Sequence, residues 1–220
     1  MARPFDILKE RNDGDWQRYC EHRFVRELAD GSLSQEAFRH YLKQDYLFLI
    51  QFARAWGLAV YKSRDLAEIR QGLGSLKAIV DVEMGLHVRY CAEWGIDAVD
   101  LAGLQESRAT LAYTRYVLDV GMSGDLLDLH VALAPCIIGY GEIANWILGQ
   151  PFAKIAGNPY REWIEMYAGE EYQAHIRSEL EWLNLRLSQV DETRLNRLSL
   201  IFRDATRLEA DFWQMGLDLA

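Results

Sequence analysis

Helical periodicity is the feature that most constrains this chain. Apolar residues recur at three- and four-residue spacing over long segments, strict alternation is rare, and the 220 residues include only four prolines. The connections between periodic segments are short, and no linker rich in proline, glycine or serine separates them. We therefore expect an all-α fold in which residues 1–220 form a single-domain helical bundle.

Capping residues give approximate helix bounds. A serine in the segment 31–34 can cap the first long helix, and Gly95 is a C-cap glycine that ends the second. The predicted helices cover residues 35 to about 63, 66–94, about 107–120, 125–148, 158–167, 170–188 and 191 to about 217. Ligand sites in helical bundles are built from inward-facing side chains of several helices, so the chemistry is expected in the core.

Composition limits the partners of the chain. Acidic residues outnumber basic ones by 33 to 24, and the formal charge of −9 repels phosphate backbones and anionic lipid surfaces. The N-terminus lacks the continuous apolar segment of a signal peptide, and the apolar runs elsewhere are too short to span a bilayer. The three cysteines are widely and irregularly spaced, as in reduced proteins. We expect a cytoplasmic protein with no nucleic-acid partner and no membrane partner.

A cysteine directly after a proline interrupts an apolar helical run. Pro135 lacks an amide donor and clashes with the carbonyl of Val131, so the segment is predicted to kink just before Cys136. The thiol then lies in the first turn of a new half-helix, where free amides and the helix dipole favour a thiolate. Cys136 is therefore a candidate nucleophile. The alternative is that it is a buried cysteine acting as a small hydrophobic residue.

Asp45 is a carboxylate within an apolar stripe. Helical spacing places it on one face with Phe48 and Phe52. A carboxylate on an aromatic wall suits an aminated heterocycle, because the acid accepts from N–H groups while aromatic rings stack on the heterocycle. The alternative is a structural pair with a neighbouring lysine or arginine.

Glu209 repeats this arrangement near the C-terminus, where it shares a face with Phe212 and Trp213. A glutamate among aromatic rings suits a general acid/base, whereas an exposed Glu209 would form a surface ion pair. Four tyrosines also place hydroxyls at the edges of apolar faces: Tyr113, Tyr116, Tyr140 and Tyr167. Each of them either takes part in a site or donates to a backbone carbonyl.

Four residues carry side chains that could bind a metal ion: Glu83, His87, Glu142 and His175. Bundle di-metal sites use inward glutamates together with Glu-x-x-His pairs, whereas Glu83 and His87 are four residues apart. The spacing favours a structural contact between Glu83 and His87, and no metal.

The sequence resembles the TenA family, also called thiaminase II, over nearly its whole length. The resemblance is carried by four motifs that occur in the family's order. The motif residues are Tyr41, Leu42, Gln44, Asp45 and Tyr46; Pro135, Cys136, Tyr140 and Glu142; Trp163, Ile164, Tyr167, Ala168, Glu171 and Tyr172; and Glu209, Phe212 and Trp213. The resemblance is to the branch of the family that keeps a catalytic cysteine. It implies the heme-oxygenase-like helical bundle.

The resemblance also implies roles for single residues. Cys136 would be the nucleophile, Glu209 the acid/base group and Asp45 the anchor of the ring's amino substituent. The implied pocket is lined by Tyr113, Tyr140 and Tyr167, with Phe48 and Phe212 sandwiching the heterocycle. Tyr46 also lies near the stacking position, so the choice between Tyr46 and Phe48 stays open.

The implied reaction is hydrolysis of 4-amino-5-aminomethyl-2-methylpyrimidine to the hydroxymethyl pyrimidine and ammonia, a step of thiamin salvage, with slower cleavage of thiamin. It uses a small-molecule pyrimidine, no cofactor and no metal, and the family resemblance implies a homotetramer. Two alternatives remain open. One is a di-metal oxygenase on the same bundle, with Glu83, Glu142 and His175 as ligands; the other is a non-catalytic pyrimidine-binding regulator.

Overall fold

A computed structural model describes residues 3–220, except for the side chains of Val82, Ala98 and Ala102. No β-strand occurs within this range, which confirms the all-α prediction. The α-helices are α1 Pro4–Arg11, α2 Asp13–Cys20, α3 Arg23–Asp30, α4 Gln35–Lys62, α5 Leu66–Ala78, α6 Met84–Glu93, α7 Ala98–Ala102, α8 Arg108–Ser123, α9 Leu126–Ala134, α10 Tyr140–Leu148, α11 Arg161–Ala168, α12 Glu170–Leu187 and α13 Glu192–Asp218. Two π-helical turns join α-helices: π1 Ile79–Glu83 between α5 and α6, and π2 Pro135–Gly139 between α9 and α10.

Capping residues start and stop the long helices as predicted. The hydroxyl of Ser34 accepts from the amide of Ala37 at 3.1 Å at the start of α4. Gly95 follows α6 with a φ of 70°, in the left-handed region that favours glycine.

The structure differs from the helix prediction in three places. The segment 121–124 was expected to stop the third helix at about residue 120, and α8 does end in this segment, but at Ser123 with Gly124 as its C-cap. A side chain at 121 would lie 2.8 Å from Leu58 of α4, so Gly121 permits close packing of the two helices. The short helix α7, with its capping box at Asp97, was not predicted. The segment 66–94 is one predicted helix but contains π1.

Backbone contacts divide the chain into two compact units, and the single-domain assignment stays a prediction. Unit 1 consists of Met1–Leu33 and His130–Trp213, and unit 2 of Ser34–Leu129 and Gln214–Ala220.

Unit 1 has an aromatic core around Trp213 of α13. The indole ring stacks on Phe24 of α3, with ring centroids 5.0 Å apart, and on Tyr19 of α2 at 6.2 Å. At the other end of α13, Phe202 packs edge-on against Phe5 of α1 at 5.5 Å. These contacts bring the N-terminal helices against the last helix of the chain.

The connection between α10 and α11 is fastened to the end of α3, also in unit 1. The amide of Lys154 donates to the carbonyl of Ala29 at 2.9 Å, and the side-chain amide of Asn158 donates to the carbonyl of Leu28 at 2.9 Å. The hydroxyl of Tyr160 donates to the carbonyl of Leu33. The loop is thereby held by both main-chain and side-chain hydrogen bonds.

Unit 2 is built on α4, which packs against α5, α6 and α8. Buried Gln44 joins α4 to the start of α8: its side chain accepts from the amide of Ser107 at 2.9 Å and from the hydroxyl of Thr110 at 2.7 Å, and it donates to the carbonyl of Gln105 at 3.1 Å. This network satisfies the buried amide group and fixes the position of α8.

By length and composition alone, the continuous helix Leu126–Leu148 could cross a membrane. However, 72% of its most apolar window is buried inside the protein, as in a core helix.

Candidate active site

The backbone around Cys136 differs from the prediction. Instead of breaking into two half-helices at Pro135, the chain stays helical: Ala134 has φ −56° and ψ −39°, and Tyr140 has φ −59° and ψ −42°. The turn between them, π2, is wider than an α-turn and takes up the proline without a new helix start. The thiol therefore does not lie at a separate helix N-terminus, and the dipole argument for a thiolate does not apply.

Two tyrosine hydroxyls donate to carbonyls of π2, both in unit 1. Tyr19 donates to the carbonyl of Pro135 at 3.2 Å, and Tyr172 to that of Ile137 at 3.0 Å. A side chain at Gly139 would lie 2.4 Å from the ring of Tyr19. Side chains of other helices therefore donate hydrogen bonds to the turn that carries Cys136 and pack tightly against it.

The three cysteines lie in different surroundings. Cys136 is partly exposed, whereas Cys20 and Cys91 are buried. Burial raises the pKa of Cys91 to about 12, and the nearby charge of Asp45 contributes. Burial also raises the pKa of Cys20 well above its usual value, with Glu142 and Glu209 adding to the shift. Cys20 and Cys91 therefore remain thiols at neutral pH, and Cys136 is the best candidate nucleophile of the three.

Glu209 is only 1% exposed, so the alternative of a surface ion pair is wrong. It lies one helical turn before Trp213, whose ring centroid is 5.3 Å from that of Tyr140. Tyr140 in turn contacts Tyr167, with ring centroids 5.0 Å apart. In unit 1, Tyr140 therefore contacts both Tyr167 and Trp213, and Trp213 lies on the helix that carries Glu209.

Asp45 lies in unit 2 and is 6% exposed. The basic side chain described beside it is His87, whose Nδ1 is 3.4 Å from Oδ2, rather than a lysine or arginine as in the structural alternative. His87 Nε2 lies 2.9 Å from the carbonyl of Leu42. Because a carbonyl only accepts, Nε2 carries a hydrogen, and a neutral ring then presents the lone pair of Nδ1 to Asp45. The sequence had paired His87 with Glu83.

Two acids of unit 2, buried Asp45 and partly exposed Glu83, have a raised pKa. Burial raises the pKa of Asp45 to about 7, against a hydrogen bond from Tyr41 that lowers it. Burial raises the pKa of Glu83, in π1, to about 7 as well, and the charge of Asp45 contributes. Burial lowers the pKa of His87, while its bond to Leu42 opposes the shift. Such acids change protonation near neutral pH and can accept from, or donate to, the nitrogens of a heterocycle.

Aromatic side chains surround the same part of α4. The ring of Phe48 stacks on Tyr113 of α8 at 5.1 Å and on Phe52 at 5.6 Å. Phe48 is buried, whereas Tyr46 is partly exposed. A small apolar pocket of unit 2 is lined by Phe48, Gln51, Phe52, Ala55, Thr114 and Val117.

The predicted site residues thus fall into two groups. Those in unit 1 are Cys136, Glu209, Tyr140, Tyr167 and Phe212, which is 1% exposed. Those in unit 2 are Asp45, Phe48 and Tyr113.

One residue of the alternative metal site, Glu142, has other partners. Glu142 accepts from Lys9 Nζ at 2.6 Å and from Trp16 Nε1 at 3.2 Å, so its carboxylate is already neutralised. Burial lowers the pKa of His175. In residues 3–220 no group of three or more His, Cys, Asp or Glu side chains is placed to hold a metal ion.

Sequence reasoning assigned no role to Tyr19 or Tyr172. Tyr172 lies within a quoted motif, but its spacing does not indicate that it reaches π2. Tyr19 carries no local sequence signal, because its contact is 116 residues away along the chain.

Comparison with known proteins gives a consistent result. A curated relative, the aminopyrimidine aminohydrolase of Halalkalibacterium halodurans, is 36% identical over 210 residues, which are 95% of this chain and 93% of the relative. A crystal structure described as a TenA family transcription regulator from a Silicibacter species is 40% identical with a TM-score of 0.88, and covers 98% of this chain and 97% of its own.

A Shewanella denitrificans domain with a heme oxygenase-like fold has a TM-score of 0.76 at 13% identity, covering 98% of this chain and 92% of its own. This likeness confirms the predicted fold. The model of the TENA/THI-4/PQQC family matches residues 10–219. Because the match spans nearly the whole sequence, this chain belongs to the TENA/THI-4/PQQC family.

Proposed function

We propose that this protein is an aminopyrimidine aminohydrolase of thiamin salvage, which converts 4-amino-5-aminomethyl-2-methylpyrimidine and water to the hydroxymethyl pyrimidine and ammonia. The observation that carries the proposal is Cys136, a partly exposed cysteine in a π-turn, in a chain that is 36% identical to a protein named for this reaction. π-turns inside α-helices occur frequently at functional sites.

The nucleophile overcomes the stability of the aromatic ring. The thiolate of Cys136 adds to a ring carbon while a ring nitrogen takes a proton, and the electron pair then expels the protonated amine as ammonia. Water adds to the exocyclic methylene that forms, and departure of the thiolate restores the ring. Buried Glu209 supplies and removes the protons. The same steps would cleave thiamin, with the thiazole as leaving group.

Recognition rests on the acids and aromatic rings. Asp45, whose pKa is raised, accepts a hydrogen bond from the amino-substituted edge of the ring when it is ionised and donates one to it when it is protonated. Phe48 and Phe212 provide stacking surfaces, and Tyr113, Tyr140 and Tyr167 supply hydroxyls. No cofactor and no metal enters these steps.

The test is turnover by Cys136→Ser. We expect ammonia release to be lost while calorimetry still detects binding of the hydroxymethyl pyrimidine. Cys20→Ala and Cys91→Ala are the matched controls and should keep turnover, since both thiols are buried with raised pKa values. Full activity of Cys136→Ser would overturn the proposal.

Self-association, as a homotetramer in the cytoplasm, is part of the proposal. Support comes from exposed apolar side chains of unit 2: Tyr61, Leu66, Leu73 and Val80 are 85%, 58%, 52% and 55% exposed. The expected mass from light scattering is four chains, and Leu73→Asp should reduce it. A monomeric wild-type protein would contradict this part.

A pyrimidine-binding regulator is the second candidate, because the Silicibacter relative is described as a transcription regulator. The net charge of −9 disfavours direct contact with DNA. A clear gel shift at moderate salt by both the wild type and Cys136→Ser would favour this candidate over the hydrolase.

A further inference from the structure

We propose that Tyr19 and Tyr172 are positioning residues that hold the π-turn and thereby aim the thiol of Cys136. The inference rests on the proposed function in one respect, the role of Cys136 as nucleophile. Neither tyrosine is placed among the residues that contact substrate.

The first step is the backbone of π2. A π-turn shifts the helical hydrogen bonds by one residue, so that a carbonyl accepts from the amide five residues on instead of four. The hydroxyls of Tyr19 and Tyr172 donate to the carbonyls of Pro135 and Ile137, at 3.2 and 3.0 Å. The Pro135 carbonyl belongs to the peptide unit before Cys136, and the hydroxyl of Tyr172 also lies 3.5 Å from the carbonyl of Cys136 itself, in the peptide unit after it. Both peptide units next to the thiol are therefore contacted by side chains from other helices.

The second step is the fixed position of Tyr19. It is fully buried, packs edge-on against Trp16 at 5.6 Å and stacks on Trp213 at 6.2 Å with an interplanar angle of 14°. Trp213 lies one turn after Glu209 on α13. Tyr19 therefore bridges the helix that carries the acid and the turn that carries the thiol.

The third step concerns Gly139. A side chain there would lie 2.4 Å from Cε1 and 2.6 Å from the hydroxyl oxygen of Tyr19. The absence of a side chain lets the phenol lie directly against the π-turn, at the distance that its hydrogen bond needs.

The fourth step concerns the position of the second tyrosine, Tyr172. Tyr172 of α12 contacts Tyr167 edge-on at 4.8 Å, and Tyr167 contacts Tyr140, the residue that follows π2. Loss of the Tyr172 hydroxyl would therefore release the carbonyl of Ile137 while the ring packing remains. A π-turn that relaxes to an α-turn rotates the residues on either side relative to each other by about 100°.

The test measures thiol reactivity in the absence of substrate. Tyr19→Phe and Tyr172→Phe are compared with the wild type by the rate of iodoacetamide alkylation across pH, with mass spectrometry locating the label on Cys136. The matched control is Tyr160→Phe, which also removes a buried hydroxyl that donates to a carbonyl, that of Leu33, outside π2. We expect a changed pH profile and an alkylation rate lowered about tenfold in both test variants, but not in the control.

Steady-state kinetics form the second readout. We expect kcat of both test variants to fall about tenfold with KM nearly unchanged, because a misplaced nucleophile affects the chemical step. Thermal unfolding of all three variants separates this effect from stability, which Tyr160→Phe should reduce to a similar extent. If Tyr19→Phe does not fold, Tyr172→Phe alone decides, since Tyr172 is partly exposed.

The outcomes separate the two proposals. Wild-type alkylation profiles in the test variants would overturn the positioning role, whatever the turnover. Turnover that survives Cys136→Ser would overturn the proposed function, while a changed alkylation profile would still support the positioning role.

Discussion

The two π-turns of this protein are used differently. π2 is almost entirely buried, holds a proline and a cysteine, and receives hydroxyl donors from α2 and α12. π1 lies nearer the surface, where Val80 is 55% exposed and Asp81 forms an ion pair with Lys77 of the preceding helix. π1 carries one acid with a shifted pKa, Glu83, whose pKa is raised to about 7.

The difference indicates which π-turn fixes geometry. A buried turn that accepts hydrogen bonds from other helices is restrained by these neighbours. A turn near the surface can instead rely on water and on a local ion pair. We expect substitutions at π2 to change position-dependent chemistry. Substitutions at π1 should mainly change proton equilibria.

The largest expected contrast is catalytic. Cys136→Ser, in π2, should lower kcat by about 10³-fold or more, because it removes the nucleophile, whereas Glu83→Gln, in π1, should lower it by about tenfold at most. Ammonia release at saturating aminomethyl pyrimidine is the measurement. Equal losses from the two substitutions would remove the distinction between the turns.

The next contrast is in stability. Gly139→Ala places a methyl group 2.4 Å from the ring of Tyr19 and should lower the free energy of unfolding by about 3 kcal/mol. Urea unfolding followed by circular dichroism measures it. A loss below about 0.5 kcal/mol would show that Tyr19 can shift away from π2 at little cost.

A smaller contrast concerns pH. The pKa of Glu83 is about 7 in the folded chain against an ordinary 4.5, so between these values the folded state binds more protons and the free energy of unfolding falls as pH rises. Glu83→Gln removes this dependence, so its free energy of unfolding relative to that of the wild type should be higher at pH 8 than at pH 4, by on the order of 2 kcal/mol. Exposed Glu93→Gln, in α6, is the control. Parallel pH curves for wild type and Glu83→Gln would contradict the raised pKa.

The smallest expected effect is at Gly85, just beyond π1. Among the described side chains, only that of Arg89 would lie within contact distance of a side chain there, at 3.7 Å. Gly85→Ala should therefore raise the free energy of unfolding by about 0.5–1 kcal/mol through the better helix propensity of alanine. Urea unfolding beside Gly139→Ala compares the two glycines directly, and a destabilised Gly85→Ala would mean that π1 is as tightly packed as π2.

Local features of the fold could be predicted from the sequence. The cap at Ser34 and the glycine at Gly95 are encoded within a few residues, and the structure confirms both. Pro135 correctly marked a backbone irregularity. The predicted form of this irregularity, a break into two half-helices, was wrong. A proline can be accommodated either by a helix break or by a π-turn, and the choice depends on hydrogen-bond donors from other helices.

Distant contacts could not be predicted in this way. Tyr19 meets Pro135 across 116 residues, and His87 meets Leu42 across 45, with no spacing pattern that relates them. The same limit applies to Glu142, which was a possible metal ligand until Lys9 proved to neutralise it across 133 residues. Periodicity identifies which face of a helix is buried, but not which side chains of other helices meet it.

The fastening of the α10–α11 connection to α3 has a consequence for hydrogen exchange. Since the amide of Lys154 and the side chain of Asn158 are bonded to carbonyls at the end of α3, the loop can open only if that helix end loosens with it. The Lys154 amide should consequently exchange with deuterium at the slow rate of a helical amide, although it belongs to a surface loop. We therefore expect this loop to move together with α3 in unit 1 and not as an independent lid.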